Sequence, residues 1–187
     1  MPGRSSAALP RRGSGKKISG DILRRITMQE KFEKLFYEFV PQETNWGEWC
    51  HSPQAYFRGD ADIPDSHLNV GFQVFKAPIM LETEPHFHRE DEYLVFLGAK
   101  LPDVFSSFDA EIHLYMGKKL DQMEKIVITE PTIVKVPRGY WHCPLNFVRI
   151  DKPLLFQAAL QAGKFGSVKY VERENGERQY IYTGDEG

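Results

Sequence analysis

Two stretches, PHFHREDEYLVFLG at 85–98 and PRGYWHCPLN at 137–146, carry most of the readable chemistry of this 187-residue chain. In the first, His86 and His88 are two residues apart, so on a strand both rings leave the same face. Glu92 follows four residues later and keeps that parity if the chain stays extended. Two imidazoles and a carboxylate on one inward face can grip a divalent metal. In the second stretch, His142 follows a Pro137–Gly139 turn at the head of another apolar strand. It can join the other three only if the two strands face each other across a barrel.

Outward from these stretches, the sequence beyond Pro41 reads as short runs rich in Val, Ile, Phe and Tyr, bounded by Gly, Pro and Asp. The expected strands are 55–58, 68–76, 78–82, 92–97, 110–116, 125–128, 132–136, 141–150, 153–160 and 167–171. Many short strands behind a single helical segment indicate an all-β sandwich or barrel. The helical segment is 21–40, where Ile22, Ile26, Phe32, Leu35, Phe36 and Phe39 fall mostly three or four apart. Thr27 and Glu30 have capping-box spacing, which allows a helix to restart there and run to Pro41. Residues 1–20 are rich in Gly, Ser, Pro and base and read as a flexible tail; their composition also fits an organelle transit peptide. Residues 172–187 are polar and read as a surface extension. The expected organisation is therefore a basic tail at 1–20, a helix at 21–40, a barrel at 41–171 and an extension at 172–187.

The two quoted stretches resemble the motifs of the cupin superfamily. Its first motif runs G-x5-H-x-H-x3,4-E-x6-G and its second G-x5-P-x-G-x2-H-x3-N. His86, His88 and Glu92 match the first; Pro137, Gly139, His142 and Asn146 match the second. The leading glycines are replaced by Met80 and Pro131, Gly98 comes one residue early, and Ala99–Asp109 is an apparent insertion between the motifs. The resemblance covers roughly residues 65–160. It implies a cupin jelly-roll β-barrel with His86, His88, Glu92 and His142 as metal ligands inside it. The competing reading takes His86 and His88 as surface histidines and His142 as a satisfied core residue.

Four such ligands leave a divalent ion with residual positive charge, and an octahedral ion with about two open positions. Imidazole and carboxylate suit Fe, Mn, Ni, Co or Zn. Five further side chains are candidates for the substrate side: Arg58, whose guanidinium fork matches a carboxylate; Gln73 on the strand before the first motif; His113; Gln157 in the apolar run LLFQAAL; and Trp141 beside His142. Each also has a structural reading, Arg58 as a partner of Asp60 or Asp62 and Trp141 as core.

Composition excludes other classes. The net charge of -2 conceals an asymmetry: residues 1–27 carry seven basic residues and one acid, leaving 17 of the 24 basic and 25 of the 26 acidic residues in 28–187. An acidic body argues against nucleic acid as the ligand. No apolar run approaches the ~20 residues that span a bilayer, so no membrane role is expected. Two cysteines, Cys50 and Cys143, make no disulfide framework and fit a cytoplasmic setting. The expected function is a metal-dependent enzyme on a small polar or acidic molecule, with dioxygenase-like chemistry first and isomerase, decarboxylase or lyase chemistry behind it. A non-catalytic binding or sensor barrel is the alternative from another class. A homodimer is compatible with the Phe-rich helix.

Overall fold

The computed structural model describes residues 32–172 and 175–184. The chain divides into two units, Met1–Phe36 and Tyr37–Gly187. In the first, the described residues hold one 3-10 turn, Glu33–Leu35. The expected basic tail and most of the expected helix lie outside the described residues. At its end the helix reading is corrected: Phe36 is already extended, with φ -112° and ψ 134°, and residues 36–40 are not helical. Aromatic packing in the second unit accounts for the extended chain beyond it. The Tyr37 ring sits 5.3 Å from Phe57 and the Phe39 ring 5.1 Å from Phe72. Residues two apart share a side only in an extended chain. The Tyr37 hydroxyl also donates to the Tyr56 carbonyl oxygen at 3.2 Å.

The second unit contains twelve described strands: β1 Cys50–Arg58, β2 Asn69–Phe75, β3 Ile79–Glu82, β4 His86–Phe87, β5 Glu92–Gly98, β6 Ala110–Gly117, β7 Glu124–Ile128, β8 Thr132–Val136, β9 Trp141–Ile150, β10 Leu154–Leu160, β11 Gly166–Glu172 and β12 Arg178–Gly184. One sheet runs β1-β2-β10-β5-β8; the other runs β12-β11-β4-β9-β6-β7, with β3 also paired to β9. All pairings are antiparallel. The all-β expectation holds. The C-terminal extension is corrected in part, because 178–184 is a strand in register with all of β11.

Period-2 burial shows how each strand feeds the space between the sheets. β2 and β5 alternate strictly between buried and half-buried positions. Phe75, Phe96 and Phe156 from the first sheet meet Phe147 of the second, with ring centroids 4.8, 6.3 and 5.6 Å from it. Phe75, Phe96, Phe147, Ile112 and Leu114 have no exposed surface. Edge-to-face aromatic packing of this kind adds about 0.5–1.5 kcal/mol per pair beyond area burial. This core fills one end of the sandwich and leaves the His-bearing end to chemistry.

Candidate metal centre

The two motif stretches converge on one point. β4 lies between β9 and β11, and its His86 pairs directly with His142 of β9. The turn before β9 is tied to the segment after β4: the Gly139 N–H donates to the His88 carbonyl at 2.8 Å, and the Arg138 N–H to Asp91 Oδ1 at 2.9 Å. Gly139 has φ +76°, a conformation that suits glycine.

Strand parity alone would not put His142 and the core residues Leu145 and Phe147 on the same face, since they differ by odd numbers. A bulge resolves this. Leu114 of β6 opposes Leu145 while Met116 opposes His142, so β9 carries one extra residue over that interval. Cys143, within the bulge, has φ +73°. His142 is thereby turned inward although Leu145 and Phe147 are inward too.

Each imidazole is oriented by a backbone carbonyl. His86 Nδ1 contacts Glu84 O at 3.0 Å, His88 Nδ1 contacts Gly166 O at 2.6 Å, and His142 Nδ1 contacts Tyr140 O at 3.3 Å. Nδ1–H donation to a carbonyl leaves Nε2 as the lone-pair atom, the usual arrangement of a metal-ligating histidine. The three rings are buried, and one ring nitrogen from each lies within 4.8 Å of the others. Glu92, 4% exposed, places Oε2 3.2 Å from His142 Nε2 and 3.6 Å from His88 Nε2. That oxygen is buried and accepts no hydrogen bond.

The electrostatics match. Burial, reinforced by His142, pushes His86 down to about 4, and burial lowers His88 as well. Burial alone would raise Glu92, but His142, His88 and His86 outweigh it and hold the carboxyl below its ordinary value. Two imidazoles held neutral by burial, beside an ionised carboxylate with one orphaned oxygen, suit a divalent cation. The residues fit a metal: His86, His88 and His142 would hold it, with Glu92 beside the last two.

Motif residues spread between positions 86 and 142 thus close one inward site between two antiparallel sheets. Two antiparallel sheets enclosing this site are the arrangement that the motif resemblance to the cupins implies. No family model matches the chain, and no curated protein matches it in sequence. Among solved structures, the chain resembles an oxalate decarboxylase of Bacillus subtilis described for its Mn(II) centers, at 12% identity and TM-score 0.47, over 68% of this chain and 30% of that one. It also resembles vicilin from hazelnut, Corylus avellana, at 10% identity and TM-score 0.45, over 79% of this chain and 36% of that one. The chain therefore spans about a third of the length of either.

A cavity of about 500 Å³ adjoins the candidate metal site, with Glu92 in its lining. Arg58 and Gln73 also line it. Three other candidates do not. His113 is corrected to the outer face, where its Nε2 lies 2.7 Å from Glu111 Oε1; Ala110, Ile112 and Leu114 take the inward positions of β6. Gln157 is likewise outward, because Leu154, Phe156 and Leu160 occupy the buried positions of β10. Trp141 packs outside the site, its ring 5.0 Å from Phe87 and 5.9 Å from Tyr180. Sequence reasoning missed Tyr56 and Gln54: the Tyr56 hydroxyl accepts from Gln73 Nε2 at 2.8 Å and donates to Gln54 Oε1 at 3.3 Å. Their inward parity with Arg58 was the available signal. Among the described residues, no helix is long and apolar enough to cross a membrane.

Proposed function

We propose that this cupin is a metal-dependent enzyme acting on a small polar or acidic organic molecule, with oxygenase-type chemistry as the first assignment. The observation that carries the reading is the position of Glu92. Its carboxylate lies 3.2 and 3.6 Å from two imidazoles, and the residue is also part of the lining of a cavity large enough for an organic substrate. A divalent ion held there would supply Lewis acidity toward a carboxylate, enolate or hydroxyl pair. The chain's own part is to fix three rings in one tautomer through Glu84, Gly166 and Tyr140 carbonyls, to keep Glu92 ionised, and to hold these groups away from bulk water. Isomerase, decarboxylase or lyase chemistry would use the same donors. The setting we assign is a cytoplasmic homodimer, which light scattering on the purified chain checks.

Elemental analysis of protein purified without oxygen, chelator or affinity tag tests the reading, with His142→Ala as comparison. Near-stoichiometric iron, manganese, nickel or zinc that is lost in the variant supports it. No metal, and no uptake on adding ions, ends it. A ligand returned unchanged by loaded protein would assign the barrel to sensing instead.

A further inference from the structure

We propose that the cavity takes an amphipathic organic acid, with a flat apolar body lying over Ala158 beside the Tyr56 ring, a carboxylate on Arg58 and a hydroxyl donated to Gln73. This deepens the reading above, and rests on it only in taking the cavity as the substrate side of the metal centre. The shape follows from sheet register. On the inner face, Arg58 pairs with Asn69, Leu160 pairs with Asn69, and Leu160 also pairs with Glu92. Arg58 and Glu92 therefore stand in one transverse row, three interstrand spacings or about 14 Å apart at the backbone.

The next row holds Tyr56 opposite Gly71 and Ala158 opposite Leu94, and the β2–β10 register brings Gly71 beside Ala158. Gly71 makes room for the Tyr56 ring, which lies 3.0 Å from where a Cβ would stand, and the small Ala158 keeps the floor low beside that ring. Leu160 and Phe165 complete the apolar surface.

The polar groups are few and specific. Gln73 is 7% exposed and spends its amide nitrogen on the Tyr56 hydroxyl at 2.8 Å and Gln54 Oε1 at 3.5 Å. Its Oε1 has no partner among the described residues, so it is an acceptor for a ligand hydroxyl. Arg58 and Lys164 supply positive charge at the rim. The rim acid, Asp60, already takes the Asp65 N–H on Oδ1 at 2.7 Å. A two-carbon diacid would leave most of this volume and its apolar lining uncovered.

Calorimetric titration of the full chain with 4-hydroxycinnamate, its neutral analogue 4-vinylphenol, and oxalate tests the proposal, on chelator-treated and on Co(II)-loaded protein. In chelator-treated protein we expect 4-hydroxycinnamate to bind at least about tenfold more tightly than oxalate. Arg58→Met should weaken 4-hydroxycinnamate about tenfold and leave 4-vinylphenol unchanged, as loss of one charge-assisted pair requires. Ala158→Leu should weaken both aromatic ligands. Equal or tighter oxalate binding to the chelated protein, or unchanged aromatic affinity in both variants, overturns the proposal. Aromatic binding without metal uptake would sink the enzyme reading alone, and metal uptake without aromatic binding would sink this one alone.

Discussion

Glu92 Oε2 lies 3.2 Å from His142 Nε2 and yet accepts no hydrogen bond. With Nδ1 of His142 turned to the Tyr140 carbonyl, its Nε2 faces the carboxylate in a buried space. A cation bound there would satisfy the orphaned oxygen, and an unpaired buried polar group costs about 1–3 kcal/mol. The same logic holds for His88, whose Nδ1 is held by Gly166 O at 2.6 Å.

Removing a donor should therefore cost metal while sparing the fold. His86→Ala and His142→Ala are expected to lower Mn(II) or Co(II) affinity by more than about 100-fold, beyond the 10–100-fold typical of outer partners. Glu92→Gln should weaken binding less than either. Metal titration with circular dichroism on each variant checks this. Full occupancy in both histidine variants would contradict the ligand assignment.

Acid should destabilise the metal-free protein through the same rings. His86 is pushed down from 6.5 to about 4 by burial and by His142. Between these values the unfolded chain takes up a proton that the folded chain refuses, so stability falls as pH drops through the window. His86 alone contributes about 3 kcal/mol of loss by pH 4, and His88 acts in the same direction. Urea midpoints of chelated protein at pH 7 and pH 4.5 measure it. His86→Gln should narrow the difference between the two; an unaltered difference would remove His86 from the account.

Neither thiol should react in the folded protein. Cys50 is 2% and Cys143 3% exposed, and burial pushes the Cys143 thiol well above its ordinary value. Reaction needs the thiolate and access. A chromogenic disulfide reagent should titrate no thiol in native protein and two in guanidinium. Rapid native labelling of Cys143 would show that β9 opens.

Gly98 should tolerate no side chain. A Cβ there would stand 2.7 Å from both the Phe108 nitrogen and the Ser107 carbonyl carbon, so the insertion loop's backbone rests directly on β5. Gly98→Ala is expected to cost about 1–3 kcal/mol by overpacking, read from equilibrium urea unfolding. A neutral result would mean that the 99–109 loop moves freely.

The strands were largely legible because runs rich in Val, Ile, Phe and Tyr stand between turn residues; 132–136 and 141–150 have the expected bounds. β4 was not, since two residues carry no periodicity. β12 escaped notice because its sequence, RQYIYTG, sits in a polar setting. Spacing gave His86, His88 and Glu92 a shared parity and the resemblance added His142; the structure brings the four side chains together. The outward turn of His113 was readable too, since Ala110, Ile112 and Leu114 already claim the inward parity. Gln157 was less so: a run as apolar as LLFQAAL does not show which face is buried. The helix reading failed at Phe36 because Tyr37 and Phe39 find partners on Phe57 and Phe72, contacts that no local pattern encodes.

The pairing of His86 with His142 has a consequence for the order of assembly. These residues are joined through a two-residue strand and come together only when β4 has docked between β9 and β11. Closing so long a stretch of chain costs entropy that the surrounding strand pairings must offset. An ion that finds its donors only in the assembled barrel would bind the folded chain alone. By mass action it would then raise the share of molecules that stay folded, so metal supply and lifetime of the protein would be linked.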